Sequence, residues 1–143
     1  MKLILNKLYL VFISIIIFTH NLNSQCNGRY QDEIFSSISV NTVYYSDVYF
    51  DNSHKMDVYT PDNDTLTERP VVIYLFGGAF ITGSKNNTDC VDFCNYFAKR
   101  GYVAIAANYR LSNNPILFSL DQQQQYSTVL KAMADLKSLI RYI

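Results

Sequence analysis

The feature that most constrains this chain is Val71-Val72-Ile73-Tyr74-Leu75-Phe76, which runs straight into Gly77-Gly78-Ala79-Phe80, with Gly83-Ser84 close behind. Six apolar, mostly β-favouring residues in succession predict a strand buried on both faces, as in a parallel sheet. Two glycines at its end let the backbone turn sharply and leave its amides open to a small ligand. In open α/β sheets the chemistry gathers at the carboxyl ends of the strands. A Gly-Gly loop in that place suggests amides aimed at an anion or a developing oxyanion.

The first residues are expected to lie outside the fold. Lys2 and Lys7 supply positive charge, residues 8–18 form an apolar core, and polar residues 19–25 follow, with small Ser24 before Gln25. That order predicts a cleavable secretory signal over residues 1–24 and an extracytoplasmic or secreted product, residues 25–143. The apolar run is shorter than the roughly 18 residues a membrane span needs, so no stable span is expected. A lipoprotein reading through Cys26 has a poor approach sequence in Asn23-Ser24-Gln25.

Twelve basic and twelve acidic residues balance without a basic cluster. Nothing in that distribution points to nucleic acid or to an anionic membrane surface. Residues 25–143 are enough for one modest domain, and no composition break marks a second. The three cysteines, Cys26, Cys90 and Cys94, allow one bridge at most. Cys90 and Cys94 would share a helical face, but no further ligand lies nearby, so no metal and no cofactor is expected. Packing, or one bridge to Cys26, remains open.

Along the chain, an irregular segment with a short helix near residues 32–37 precedes two strands, at 42–50 and 54–60, joined by Asp51-Asn52-Ser53. Pro61-Asp62-Asn63-Asp64 is a turn cluster. After the glycine loop, residues 89–100 predict a helix with Val91, Cys94, Phe97 and Ala98 on one face, ended by Gly101. Residues 103–107 predict a second buried strand, completing a βαβ unit. A loop over residues 108–118 leads to a last helix from Ser119, with Ser119 and Gln122 spaced as a capping box. Tyr126, Val129, Leu130, Met133, Leu136, Ile140 and Ile143 form its apolar stripe. Antiparallel edge strands thus lead into a parallel core.

Met56-Asp57-Val58-Tyr59-Thr60-Pro61, the buried strand, Gly77-Gly78-Ala79-Phe80, Lys-Arg-Gly-Tyr-Val-Ala at 99–104, and Asn108-Tyr109-Arg110-Leu111 together resemble the amino-terminal half of α/β-hydrolases. The resemblance spans residues 42–143 and is nearest to secreted carboxylesterases and lipases with an HGGG-type oxyanion loop. It implies an α/β fold whose sheet is incomplete here, and a serine nucleophile with histidine and acid partners acting on a small-molecule ester. It also implies that the N–H groups of Gly78 and Ala79 hold the oxyanion, that Gly77 gives the tight turn, and that Phe80 walls the substrate pocket.

Two departures stand out. Phe76 occupies the place where the family motif begins with histidine. No G-x-S-x-G occurs among the five glycines, and His20 and His54 both precede the sheet core. The expectation is therefore a fragment with the oxyanion loop but no nucleophile, acid or base, inactive alone, from a truncated or incomplete frame. The alternative is a catalytically inactive binding or adhesion protein on the same scaffold. A nucleotide binder is disfavoured, because the glycine loop lacks G-x-G-x-x-G spacing and the second buried strand ends in Asn108. Ser84 reads as a helix or turn cap, Arg110 as a structural donor to backbone carbonyls, and His54 and Asp57 as surface polar groups. Asn63-Asp64-Thr65 and Asn86-Asn87-Thr88 match the glycosylation sequon. With the sheet incomplete, the strand at 103–107 is expected to have an uncovered edge, and residues 25–143 to be poorly soluble.

Overall fold

Four strands form one open sheet in a computed structural model that describes residues 28–143; the expected signal at 1–24 and Cys26 lie outside the described residues. The strands are β1 (Ile38–Tyr44), β2 (Lys55–Pro61), β3 (Val71–Leu75) and β4 (Val103–Ala107). Three helices accompany them: α1 (Thr88–Ala98), α2 (Pro115–Leu120) and α3 (Gln122–Tyr142). The strand order is β1-β2-β4-β3. The β1/β2 and β2/β4 pairs are antiparallel, and β3/β4 is parallel. The expected passage from antiparallel strands into a parallel core is what the chain adopts.

Pairing with β2 limits β1: the register runs from Ile38 opposite Pro61 to Tyr44 opposite Lys55. The strand therefore ends at Tyr44 rather than extending over 42–50. Beyond it Ser46 Oγ accepts from the N–H groups of Val48 and Tyr49, a local turn that competes with strand pairing. The short helix expected at 32–37 is also absent. Instead, a turn closes where Gln31 and Asp32 donate to the Gly28 carbonyl.

The β4 strand lies inside the sheet, between β2 and β3, which corrects the expectation that it would carry the open edge. That edge belongs to β3, where Val71 is 45% and Leu75 36% exposed. Alternation along β4 sorts the two cores. Ala104 and Ala106 face Cys90, Cys94 and Ala98 of α1, and Ile105 and Ala107 face Leu139 of α3. Alanines on the α1 side let that helix sit close to the sheet. Gly101, at φ +93°, ends α1 with Tyr102 N–H donating to Phe97 O and its own N–H to Ala98 O. This is the Schellman pattern, which satisfies the last carbonyls of a helix.

The expected single helix from Ser119 is two helices. Asn114 caps α2, its Oδ1 accepting from Ile116 and Leu117 N–H, with Pro115 in the favoured first position. Asp121 caps α3, accepting from Gln123 N–H. Ser119 instead donates to Pro115 O within α2, so the capping box does not form. The apolar stripe of α3 is not its buried face: Thr128, Ala132, Asp135 and Leu139 are buried, while Leu130, Met133 and Ile140 face outward. No helix among the described residues is long and apolar enough to cross a membrane.

Candidate active site

The loop from Phe76 to Lys85 leaves the carboxyl end of β3, where the sequence places the candidate chemistry. Phe76 is buried, and its ring stacks on Tyr109 at 4.4 Å between centroids and 14° between planes. The Tyr109 hydroxyl also donates to the Phe76 carbonyl at 2.7 Å. An aromatic residue at position 76 is thus an anchor of the loop, filling space against β4's exit.

The chain then takes three successive left-handed steps, Gly78 (φ +140°), Ala79 (φ +52°) and Phe80 (φ +60°). A Cβ on Gly78 would fall 1.9 Å from the Thr82 carbonyl oxygen, so only glycine fits. Gly77 has no positive φ, and a Cβ there would meet nothing within 4 Å. The turn expected of Gly77 therefore falls on the three residues after it. Non-glycine residues held left-handed store strain, which clusters at functional sites.

Three hydrogen bonds hold this conformation: Ile81 and Thr82 N–H donate to Gly78 O, and Ser112 N–H donates to Phe80 O at 2.7 Å. Among the described residues, no acceptor meets the N–H of Gly78 or of Ala79. Gly83, at φ +111°, closes the loop, and a Cβ there would strike the Phe76 ring at 2.4 Å. Ser84 Oγ accepts from Asn86 N–H, the turn-capping role expected of it.

Lys85 ends the loop in a buried charge network. Its Nζ donates to Asp57 Oδ2 at 2.6 Å and to Asn86 Oδ1 at 2.9 Å, and Thr42 donates to Asp57 Oδ1. Its backbone N–H donates to Asn108 Oδ1 at 2.7 Å. The Asn108 amide in turn donates to Asn52 O, joining the loops after β1, β3 and β4. Asp57 is 6% exposed, which corrects its reading as a surface group. Tyr59, two residues further along β2 and so on the same face, belongs to the core; a charge at that spacing signals burial with a partner.

His54 is likewise buried, and the two do not meet. Its Nδ1 lies 2.7 Å from Asp51 Oδ1 and its Nε2 3.3 Å from Asp135 Oδ1. Its ring stacks on Tyr49. Burial would raise the Asp51 carboxyl, but hydrogen bonds from His54 and Ser53 outweigh that and hold it below the usual range. Arg110 grips Asp135 through Nε and Nη2 and donates to Lys131 O. The hydrogen bond with Asp135 raises the Arg110 guanidinium further. Arg110 is structural as expected, with a carboxylate rather than carbonyls as its main partner.

Two hollows flank the loop. A polar cleft of about 400 Å³ is lined by Asn52, Phe76, Ser84, Asn108 and Arg110, among others. An apolar groove of about 320 Å³ runs between Leu75, Phe76, Phe80, Tyr109, Met133 and Leu136. Phe80 stands edge-on to Tyr109 along that groove. Among the described residues, no three His, Cys, Asp or Glu side chains form a group able to hold a metal ion. Cys90 and Cys94 are both free thiols packed under the sheet.

This sheet, with the glycine loop at the end of β3, is that of an α/β-hydrolase, and comparison with known proteins gives the family. Residues 56–143 match the BD-FAE family, an α/β-hydrolase-type esterase family, and the chain belongs to it. Among solved structures, C6-C4 SN3-inhibited esterase B from Lactobacillus rhamnosis is similar at TM-score 0.56 and 23% identity, covering 94% of this chain and 38% of that one. A truncated carbohydrate esterase from gut microbiota is similar at TM-score 0.52 and 21% identity, covering 78% of this chain and 34% of that one. Thermogutta terrifontis esterase 2, phosphonylated by sarin, is similar at TM-score 0.51 and 31% identity, covering 80% of this chain and 36% of that one. The chain thus spans less than two fifths of the length of these esterases. No curated protein matches the sequence.

Proposed function

We propose that residues 28–143 form the oxyanion-binding part of a secreted serine carboxylic-ester hydrolase, exported by the signal at residues 1–24. The observation that carries this reading is the pair of successive amides, Gly78 and Ala79, without acceptors among the described residues on a strained turn at the end of β3. When a nucleophile attacks an ester carbonyl, the oxygen becomes negative, and preorganised N–H donors stabilise that charge more than the neutral carbonyl. Each such donor typically contributes about 3 kcal/mol to the transition state. Gly77 leads into the turn, and Phe80, beside the apolar groove, walls the acyl or alcohol pocket. Phe76 in the place of the family's histidine keeps the loop anchored through Tyr109 and leaves the amide donors in place.

Residues 1–143 hold no G-x-S-x-G. By themselves they are therefore proposed to turn over no ester. The test is to read the coding sequence past codon 143 and assay its full product with p-nitrophenyl acetate. A G-x-S-x-G within about 30 residues, the scale of one βα step, together with turnover lost on replacing its serine by alanine, supports the hydrolase. An intact frame with no such serine and no turnover sinks it and leaves the inactive binding protein.

A further inference from the structure

We propose that Lys85 is a positioning residue for the glycine loop, fixing the Gly78 and Ala79 amides through a double tether to the two central strands. The proposal rests on reading those amides as oxyanion donors. Lys85 is held twice, by its backbone N–H on Asn108 Oδ1 just after β4 and by its Nζ on Asp57 Oδ2 within β2. Asp57 lies within β2 and Asn108 follows directly on β4, and both of these strands are paired on each side. At the loop's other end Phe76 is clamped by Tyr109.

Between these clamps, Ala79 and Phe80 occupy left-handed conformations that persist only where the surroundings over-determine them. Stability alone does not explain the pair: Lys85 is 8% and Asp57 6% exposed, and taking two charges out of water offsets most of their attraction. What a buried, hydrogen-bonded ion pair supplies here is a fixed position. Thr42 and Asn86 add a second hydrogen bond to each charge, one to the Asp57 carboxylate and one from the Lys85 ammonium. Released from the tether, Gly83 could withdraw from the Phe76 ring, and the turn would relax toward right-handed geometry with its amides re-aimed.

The test compares Lys85→Met with the double variant Asp57→Leu/Lys85→Met in the full product of the reading frame. The double variant removes both charges, so it keeps the question open to measurement where the single one, with Asp57 left buried and unpaired, fails to fold. Amide exchange is followed at Ile81, Thr82 and Ser112, whose N–H groups hold the loop, with the β4 amides as internal reference. The expected result is exchange faster by about tenfold or more at the three loop amides with β4 unchanged. A fall of about 10²-fold in kcat for p-nitrophenyl acetate, at near-constant KM, is expected beside it. Loop exchange unaltered in a folded double variant overturns the proposal. If the parent protein hydrolyses no ester, the hydrolase reading fails, and the exchange comparison alone decides the role of Lys85.

Discussion

Tyr109 and Phe76 are joined twice, by a ring stack at 4.4 Å and by a hydroxyl donating to a buried carbonyl at 2.7 Å. The stack is apolar contact; the hydrogen bond is what ties β4's exit to the first residue of the glycine loop. Tyr109→Phe keeps the first and removes the second, leaving the Phe76 carbonyl without its partner. The expected loss is about 1–3 kcal/mol, read as a lower urea midpoint at unchanged slope. An unaltered midpoint would show that the carbonyl finds another donor.

The loop glycines should separate sharply. Gly83→Ala places a methyl 2.4 Å from the Phe76 ring at a positive φ, and Gly78→Ala meets the Thr82 carbonyl. Each should cost about 2 kcal/mol or more, from strain and overpacking together. Gly77→Ala meets nothing and needs no left-handed backbone. Its effect on thermal stability should stay within about 0.5 kcal/mol. Equal losses at all three positions would contradict the loop geometry described.

Acid sensitivity should track Asp64. Its hydrogen bonds from Arg29 hold the carboxyl below the usual range against the opposing effect of burial. A depressed carboxylate contributes stability that is present above its unfolded value of about 3.9 and is lost as pH falls through the folded value. Melting temperature should therefore drop on acidification below about pH 4, and Asp64→Asn should be less stable at neutral pH with a shallower acid limb. Parallel limbs for both proteins would remove Asp64 from the explanation.

Burial pushes the Cys90 thiol up to about 11 and Cys94 up to about 12. Thiolate is the reactive form, so neither should take up iodoacetamide in the folded protein near neutral pH. Both should label in guanidinium chloride. Peptide mapping by mass spectrometry reads each position separately from Cys26, and rapid labelling at 94 in native buffer would show that α1 opens from the sheet.

Residues 25–143 expressed alone should self-associate. The strand β3 is paired on one side only, by β4, and apolar Leu75 and Met133 stand exposed beside its open edge. Open edges with apolar flanks favour pairing between chains. Sedimentation should show species larger than a monomer, reduced by Leu75→Lys. A monodisperse monomer at high concentration would argue that the edge is already protected.

The strands β2 and β4 and the helix α1 were legible because their local patterns match their burial; β3 was legible as a strand, but the burial on both faces expected of it fails, because it lies at the edge of the sheet with Val71 and Leu75 exposed. Val103-Ala104-Ile105-Ala106-Ala107 reads as a buried strand and is one, to the residue. Strand order was not legible, since nothing in residues 103–107 says whether β2 lies beside them. The burial of Asp57 and His54 escaped for a related reason: Lys85, which pairs with Asp57, and Asp135, which lies 3.3 Å from His54 Nε2, arrive from distant parts of the chain, while the bond of His54 to Asp51 is local. In α3 the apolar pattern misled, because Asp135 is buried by its bonds to Arg110 while Leu130 and Ile140 are not. The glycine loop was located correctly, but its turn was placed one residue early, since position 77 and position 78 differ only in backbone angle.

The contacts that shape the glycine loop also carry a temporal order. Residues 76–85 depend on Asn108, Tyr109 and Ser112 for the bonds that fix Lys85, Phe76 and Phe80. A chain growing from its amino terminus makes the loop first and its clamps a full helix and strand later. The loop is thus a late-maturing element encoded early, and its shape is set only once the exit of β4 has left the ribosome.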